Sequence, residues 1–220
     1  GRHELNIDNI NEMIQTHHLE PITPLYTTPD AEDALTLFDG YPYRHSVTIG
    51  KGMTCTFYDA GHILGSAISM IQVRQNGRVQ TICYTGDIGR FGKPILRDPV
   101  LNFPEEHRQI DLMIMESTYG DRLHEPVIDL KPRLQTVLTD AVERGGSVLI
   151  PAFAFGRTQE LLYVIHELYN EGAVPRLPIY VDSPLAVNAT DVFRMHPEEW
   201  NDEVQSFLTE DRRKSPFDYD

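Results

Sequence analysis

Tyr58-Asp59-Ala60-Gly61-His62-Ile63-Leu64-Gly65-Ser66-Ala67 is the stretch on which the reading of the whole chain turns. The residues before it, 53–58, are rich in Thr and aromatics and predict a strand; those after it, 67–74, predict another. Between them a histidine stands flanked by glycines. Gly61 and Gly65 permit the tight, positive-φ backbone that would aim His62 off the sheet edge, a loop that a core histidine would not need. On these ten residues alone, a hydrogen-bonded loop histidine is an equally good reading. The same design recurs twice. Tyr84-Thr85-Gly86-Asp87-Ile88-Gly89 ends a strand in an aspartate held between glycines. Glu116-Ser117-Thr118-Tyr119-Gly120 follows the apolar run DLMIME (111–116), which predicts a buried strand. A carboxylate at the C-terminal edge of a strand is placed to bind a metal, although Asp also makes Asx-turns there. Three such strand ends predict that His62, Asp87 and Glu116 converge on one cleft. That convergence, more than any single residue, points to chemistry.

Working outward, residues 46–49 and 53–58 predict strands separated by Gly50 and Gly52, and 67–74 and 78–84 flank the hairpin dipeptide Asn76-Gly77. Toward the N-terminus, Ile10, Met13, Ile14 and His17 fall at helical spacing, and Pro21 stops that helix. Asp30 is expected to cap a short helix with Ala31, Ala34, Leu35 and Phe38 on one face. After Glu116 the pattern changes. Leu130, Leu134, Val137, Leu138 and Ala141 make a helical stripe ended by Gly145-Gly146. SVLIPAF (147–153) and PIYVD (178–182) predict buried strands, with helices expected over 157–171, 185–195 and 198–209. This alternation implies a parallel α/β unit. The chain is therefore expected to be α/β in class, antiparallel-rich β up to about residue 120 and α/β beyond it.

Composition narrows the function. With 220 residues, 40% apolar and 24% charged, the chain can bury a core and is not of disordered type. No apolar run approaches the roughly 20 residues of a membrane span, and GRHELNIDNI carries no secretory signal. Two cysteines, Cys55 and Cys83, exclude a disulfide scaffold and a cysteine-only zinc site; as buried thiols they fit a reducing cytoplasm. A net charge of −14 excludes binding to a polyanion by bulk attraction. A polyanionic substrate would need a local positive site, for which a metal is the obvious source.

In order, DAGHILGSA, YTGDIG, ESTYGDR, IPAFAFGRTQELL and YVDSPLA resemble the β-CASP branch of the metallo-β-lactamase fold, the RNA-cleaving nucleases related to the cleavage and polyadenylation endonuclease. The resemblance runs from about residue 24 to 200. It implies a partial metallo-β-lactamase αββα sandwich over 1–120, followed by part of a β-CASP parallel α/β cap over 121–220. It implies two zinc ions, with His62 a ligand of one and Asp87 bridging both, while Glu116 helps orient a histidine on the leaving-group side. It implies RNA phosphodiester hydrolysis by a water that the two metals activate, with single-stranded RNA as partner; the sequence does not give the oligomeric state, and a homodimer is one assembly open to it. The family's His-x-His-x-Asp-His hallmark is absent, since His17-His18 is adjacent and no Asp-His follows. The chain is thus expected to be an internal fragment, inactive by itself. The alternatives are a non-catalytic scaffold paralogue and a DNA-processing nuclease of the same branch.

Secondary candidates carry bland readings beside the functional ones. Arg157, at the start of a helix, could hold an RNA phosphate or pair with Glu160. Ser183 could face the RNA cleft, or cap a helix with Pro184 at its first position. His166 is expected to be partly buried and satisfied; His107, His124 and His196 are expected to be solvated.

Overall fold

The computed structural model of the chain describes residues 10–12, 14–15, 24–123, 130–210 and 216–217, and it divides into two units, 1–41 and 42–220. In the first unit, residues 10–12 and 14–15 are helical, where the N-terminal helix is expected; Met13, His17 and His18 lie outside the described residues. Helix α1 spans Thr28–Leu35, and its N-cap is Thr27 rather than Asp30. Asp30 sits three positions later and accepts from the Thr27 N–H at 2.8 Å and the Thr27 hydroxyl at 2.7 Å, one half of a capping box. Ala31, Ala34, Leu35 and Phe38 are exposed.

The second unit is built on a five-stranded sheet in the order β1 (Ser46–Gly50), β2 (Met53–Asp59), β3 (Ala67–Gln75), β4 (Arg78–Tyr84), β5 (Leu112–Ile114). The first four form an antiparallel meander, and β5 joins β4 in parallel. Asn76 and Gly77 both take positive φ, 51° and 76°. A two-residue hairpin turn needs this to match strand twist. Asp59 pairs with Ala67, Ser69 with Tyr84, and Tyr84 with Ile114. That register brings the C-terminal ends of β2, β4 and β5 to one end of the sheet, so the three glycine-flanked loops leave it side by side.

Strand β5 is shorter and more open than DLMIME suggests. Leu112, Met113 and Ile114 are each about half exposed. β5 is the edge strand among the described residues, so an apolar run reads as buried although only one flank is paired. One face of the sheet holds a small core of Tyr58, Ala60, Ile68, Met70 and Cys83, closed by Val100, Phe103 and Ile110. His107 belongs to this core and is not solvated: it is 6% exposed, its Nδ1 lies 2.7 Å from the Tyr58 hydroxyl, and burial pushes its pKa down. The one-turn helix Glu105–His107 carries it inward. His124 lies outside the described residues. Cys55 and Cys83 are buried and in no disulfide, and burial raises both thiol pKa values, against a hydrogen bond with Ser69 at Cys55.

The larger core joins α2 (Leu130–Glu143), α3 (Arg157–Asn170) and α4 (Pro184–Met195) to Ile95, Leu96, Trp200 and Phe217. Of the four residues that its spacing turns inward, Leu161, Leu162, Ile165 and Leu168, helix α3 buries the last three and leaves Leu161 half-buried. A one-turn helix, Pro197–Glu199, precedes α5 (Asp202–Glu210), so the last helix begins later than 198. The expected buried strands at 147–153 and 178–182 are corrected: neither segment forms a ladder. Val148, Ile179 and Val181 pack on the helical core, while Leu149 is 94% and Tyr180 87% exposed. The helices cover one side only, and a parallel strand is stable when both faces are covered and a sheet exists to receive it. Among the described residues, no helix is long and apolar enough to cross a membrane.

Candidate active site

The loops beyond β2 and β4 are pressed together by two glycines. A Cβ on Gly89 would lie 1.8 Å from the Gly61 carbonyl oxygen, and one on Gly61 would lie 2.7 Å from Pro99 N. Only bare backbone fits there. The Gly89 N–H donates to Ala60 O at 2.7 Å. Around His62, the Ser66 hydroxyl accepts from the N–H groups of His62 (3.0 Å) and Ile63 (3.2 Å), and the Asp59 carboxylate accepts from Gly61 N–H at 2.7 Å. Burial raises the Asp59 pKa, while that N–H and Arg97 act the other way.

This scaffold sets His62 Nε2 3.9 Å from Asp87 Oδ2. Glu116 reaches across from the end of β5 and accepts from Ile88 N–H at 2.9 Å and from Thr118 N–H at 3.3 Å. The Ile88 amide first, then Thr118, holds the Glu116 carboxyl below its ordinary pKa. His62, Asp87 and Glu116 line one cleft of about 800 Å³, together with Lys93, Arg157 and Glu160. Arg157 is two-thirds exposed, with Nε 3.7 Å from Glu160 Oε2, so it faces the cleft and pairs with Glu160 at once. Ser183 is not among the residues lining this cleft. It is the N-cap of α4, its hydroxyl accepting from Ala186 N–H at 3.2 Å.

Two residues that composition and spacing did not single out are central. Lys93 Nζ donates to the His62 carbonyl at 2.9 Å and pairs with Glu160 Oε1 at 2.7 Å. Gln159 is fully buried: its Oε1 accepts from Gly156 N–H at 2.7 Å, and its Nε2 donates to the Thr190 hydroxyl at 2.9 Å. The available signal was a polar pair, Gln159-Glu160, on the apolar stripe of α3, which must find partners when buried.

Chemically, an imidazole nitrogen and a carboxylate oxygen suit zinc or a similar divalent ion. Two donors each about 2.1 Å from one ion can be at most about 4.2 Å apart, and the 3.9 Å between His62 and Asp87 lies within that limit. The donor types therefore fit a metal, but the number does not: no group of three or more His, Cys, Asp or Glu is placed to hold one among the described residues.

Residues 158–220 match the Beta-Casp domain. The chain is 35% identical over 195 residues to Ribonuclease TTHA0252 of Thermus thermophilus, covering 88% of this chain and 42% of that protein. It is 35% identical over 178 residues to Transcription termination factor FttA of Methanosarcina mazei (80% and 26%). It is 35% identical over 185 residues to Cleavage and polyadenylation specificity factor subunit 3 of Dictyostelium discoideum (83% and 22%). The chain thus spans from about a fifth to less than half the length of these relatives. The chain is thus similar to the Beta-Casp domain at its C-terminal end and, over four-fifths or more of its residues, to these relatives.

Proposed function

We propose that this chain is part of a metal-dependent ribonuclease, the sheet belonging to a metallo-β-lactamase domain up to about residue 120 and the helices to a β-CASP cap beyond it. The observation that carries the reading is the meeting of His62, Asp87 and Glu116 in one cleft beside the helix that opens the Beta-Casp match. Similarity to proteins named as a ribonuclease and as a cleavage and polyadenylation factor favours RNA over the scaffold and DNA alternatives.

His62 and Asp87 would hold part of a zinc pair, whose other ligands the described residues do not supply. Such metals, when bound, supply a nucleophile from water and neutralise the scissile phosphate. The chain's own residues do the positioning. Ser66 and Lys93 fix the His62 backbone from two sides. Glu116, kept ionised by the Ile88 amide, offers a carboxylate beside the cleft that can orient a proton-donating imidazole. Arg157 is the contact proposed for an RNA phosphate, with Ser183 as a more distant candidate. The free buried thiols fit a cytoplasmic setting, and the exposed apolar edge β5 fits a homodimer.

The test is Asp87→Ala in the full-length protein, assayed on single-stranded RNA and DNA of matched sequence. Asp87 is 71% exposed in its side chain, so folding should survive. RNA cleavage should fall by at least about a thousandfold, as removal of a group that acts at the reacting centre does. RNA cleavage unchanged in the variant, or cleavage of DNA alone by the wild type, overturns the proposal.

A further inference from the structure

We infer that Lys93 is a positioning residue: it ties the loop that carries His62 to helix α3, so that the Beta-Casp segment holds the candidate metal ligand in register. The inference rests on the reading of the cleft as a metal site only for its effect on metal binding; the tether itself stands on the geometry.

Lys93 lies in the FGKP loop, between the His62 loop and the helices. Its ammonium has two partners from different parts of the chain: the His62 carbonyl at 2.9 Å and Glu160 Oε1 at 2.7 Å. Its side chain is 16% exposed and that of Glu160 11%. Side chains as long as these lose much rotamer freedom when fixed, and a charge pair taken so far from water requires good geometry and further hydrogen bonds. The His62 carbonyl is one such hydrogen bond. Glu160 is held in turn, since it stands in the first turn of α3 beside the fully buried Gln159, which links that turn to α4 through Thr190. Ile63 also lies close to the start of α3: Gly156, the N-cap, has φ of +84°, and a Cβ added there would lie 3.4 Å from Ile63 Cγ2. The loop is thus tied to the start of α3 at His62 and passes close to it at Ile63.

Helix α3 opens the Beta-Casp match, whereas His62 belongs to the sheet half. A shift of α3 therefore pulls on the backbone of the ligand residue through one ammonium. Outer groups that orient a ligand typically change metal affinity or activity by about 10–100-fold when removed.

The experiment uses the full-length protein and the double variant Lys93→Met/Glu160→Leu, which removes both charges and leaves neither buried alone. The first readout is amide hydrogen exchange at His62 and Gly89, which needs no metal. The second is the affinity for added zinc. Lys131→Met, which breaks an ion pair with Glu167 and Glu171 on the far end of α3, is the control. The expected result is exchange at least about tenfold faster at His62 and Gly89, with the β2–β3 ladder unchanged. Zinc affinity should fall about 10–100-fold, with recovery in Lys93→Arg and no change in Lys131→Met. Exchange in the double variant equal to wild type overturns the tether. If exchange responds while the wild type takes up no zinc, the tether stands and the metal reading of the cleft falls. If Lys131→Met matches the double variant, the effect is general loosening of α3 and the tether falls.

Discussion

Gly89→Ala tests the packing of the two loops most directly. The new methyl would lie 1.8 Å from Gly61 O, 2.1 Å from Gly61 C and 2.7 Å from His62 N, all backbone atoms with no rotamer to yield. Restoring even the shortest contact carbon and oxygen tolerate, 3.0 Å, requires the loops to part by at least about 1.2 Å. The Gly89–Ala60 hydrogen bond, now 2.7 Å, cannot survive that displacement. Overpacking of this kind costs about 1–3 kcal/mol and the lost hydrogen bond about 1 kcal/mol more. The expected fall in Tm is about 5–12 °C for a domain of this size. Displacing His62 from Asp87 by about 1 Å should also lower RNA cleavage by the full-length protein about a hundredfold. Thermal unfolding followed by circular dichroism reads the first effect, and single-turnover cleavage reads the second. A Gly89→Ala protein with Tm within 1 °C and cleavage within twofold of wild type, taken as rough margins of measurement, would refute the account of how the loops are joined.

Three further outcomes are expected. Ser183→Ala removes the hydroxyl that accepts from Ala186 N–H and should cost about 1 kcal/mol, seen as a Tm drop of a few degrees, whereas Ser183→Asp should restore it. Gln159→Ala leaves the Gly156 N–H without its buried partner and opens a cavity between α3 and α4; chemical denaturation should show a loss of about 2–4 kcal/mol. His107 is held neutral by burial, so its folded pKa lies below the ordinary 6.5. The unfolded chain then binds the extra proton first, and stability is constant above about pH 6.5 and declines as pH falls beneath it. His107→Gln should lose that part of the slope between pH 7 and 5.5, measured by urea unfolding at each pH.

What was legible in the sequence was whatever local chemistry dictates. Asn76-Gly77 can serve few purposes other than a hairpin, and it makes one. The glycine-flanked His62, Asp87 and Glu116 were legible as a set because strand ends and register bring them together. What failed depended on partners distant in sequence. SVLIPAF has the composition of a buried strand, yet a strand forms only beside another, and its neighbours here are helices on one side. His107 looked solvated because its three-residue turn gives no hint that Tyr58, 49 residues away, waits for its ring. Lys93 was invisible for the same reason: nothing near it in sequence marks a lysine whose partner is Glu160.

The half-exposed edge strand has a consequence for handling the molecule. Leu112, Met113, Ile114 and Met115 form an uncharged, β-prone run whose edge is unpaired among the described residues, the kind of segment that seeds intermolecular pairing. Asp111 and Glu116 bracket it as gatekeepers. Both are also occupied within the fold, Asp111 by the Thr81 amide and Glu116 by that of Ile88. Colloidal stability therefore hangs on the same carboxylates that shape the sheet edge and the cleft, backed by mutual repulsion from a net charge of −14. Acidification or high salt, which weakens that repulsion, should make the protein self-associate through this edge well before the core unfolds, and light scattering during an acid titration would register the onset.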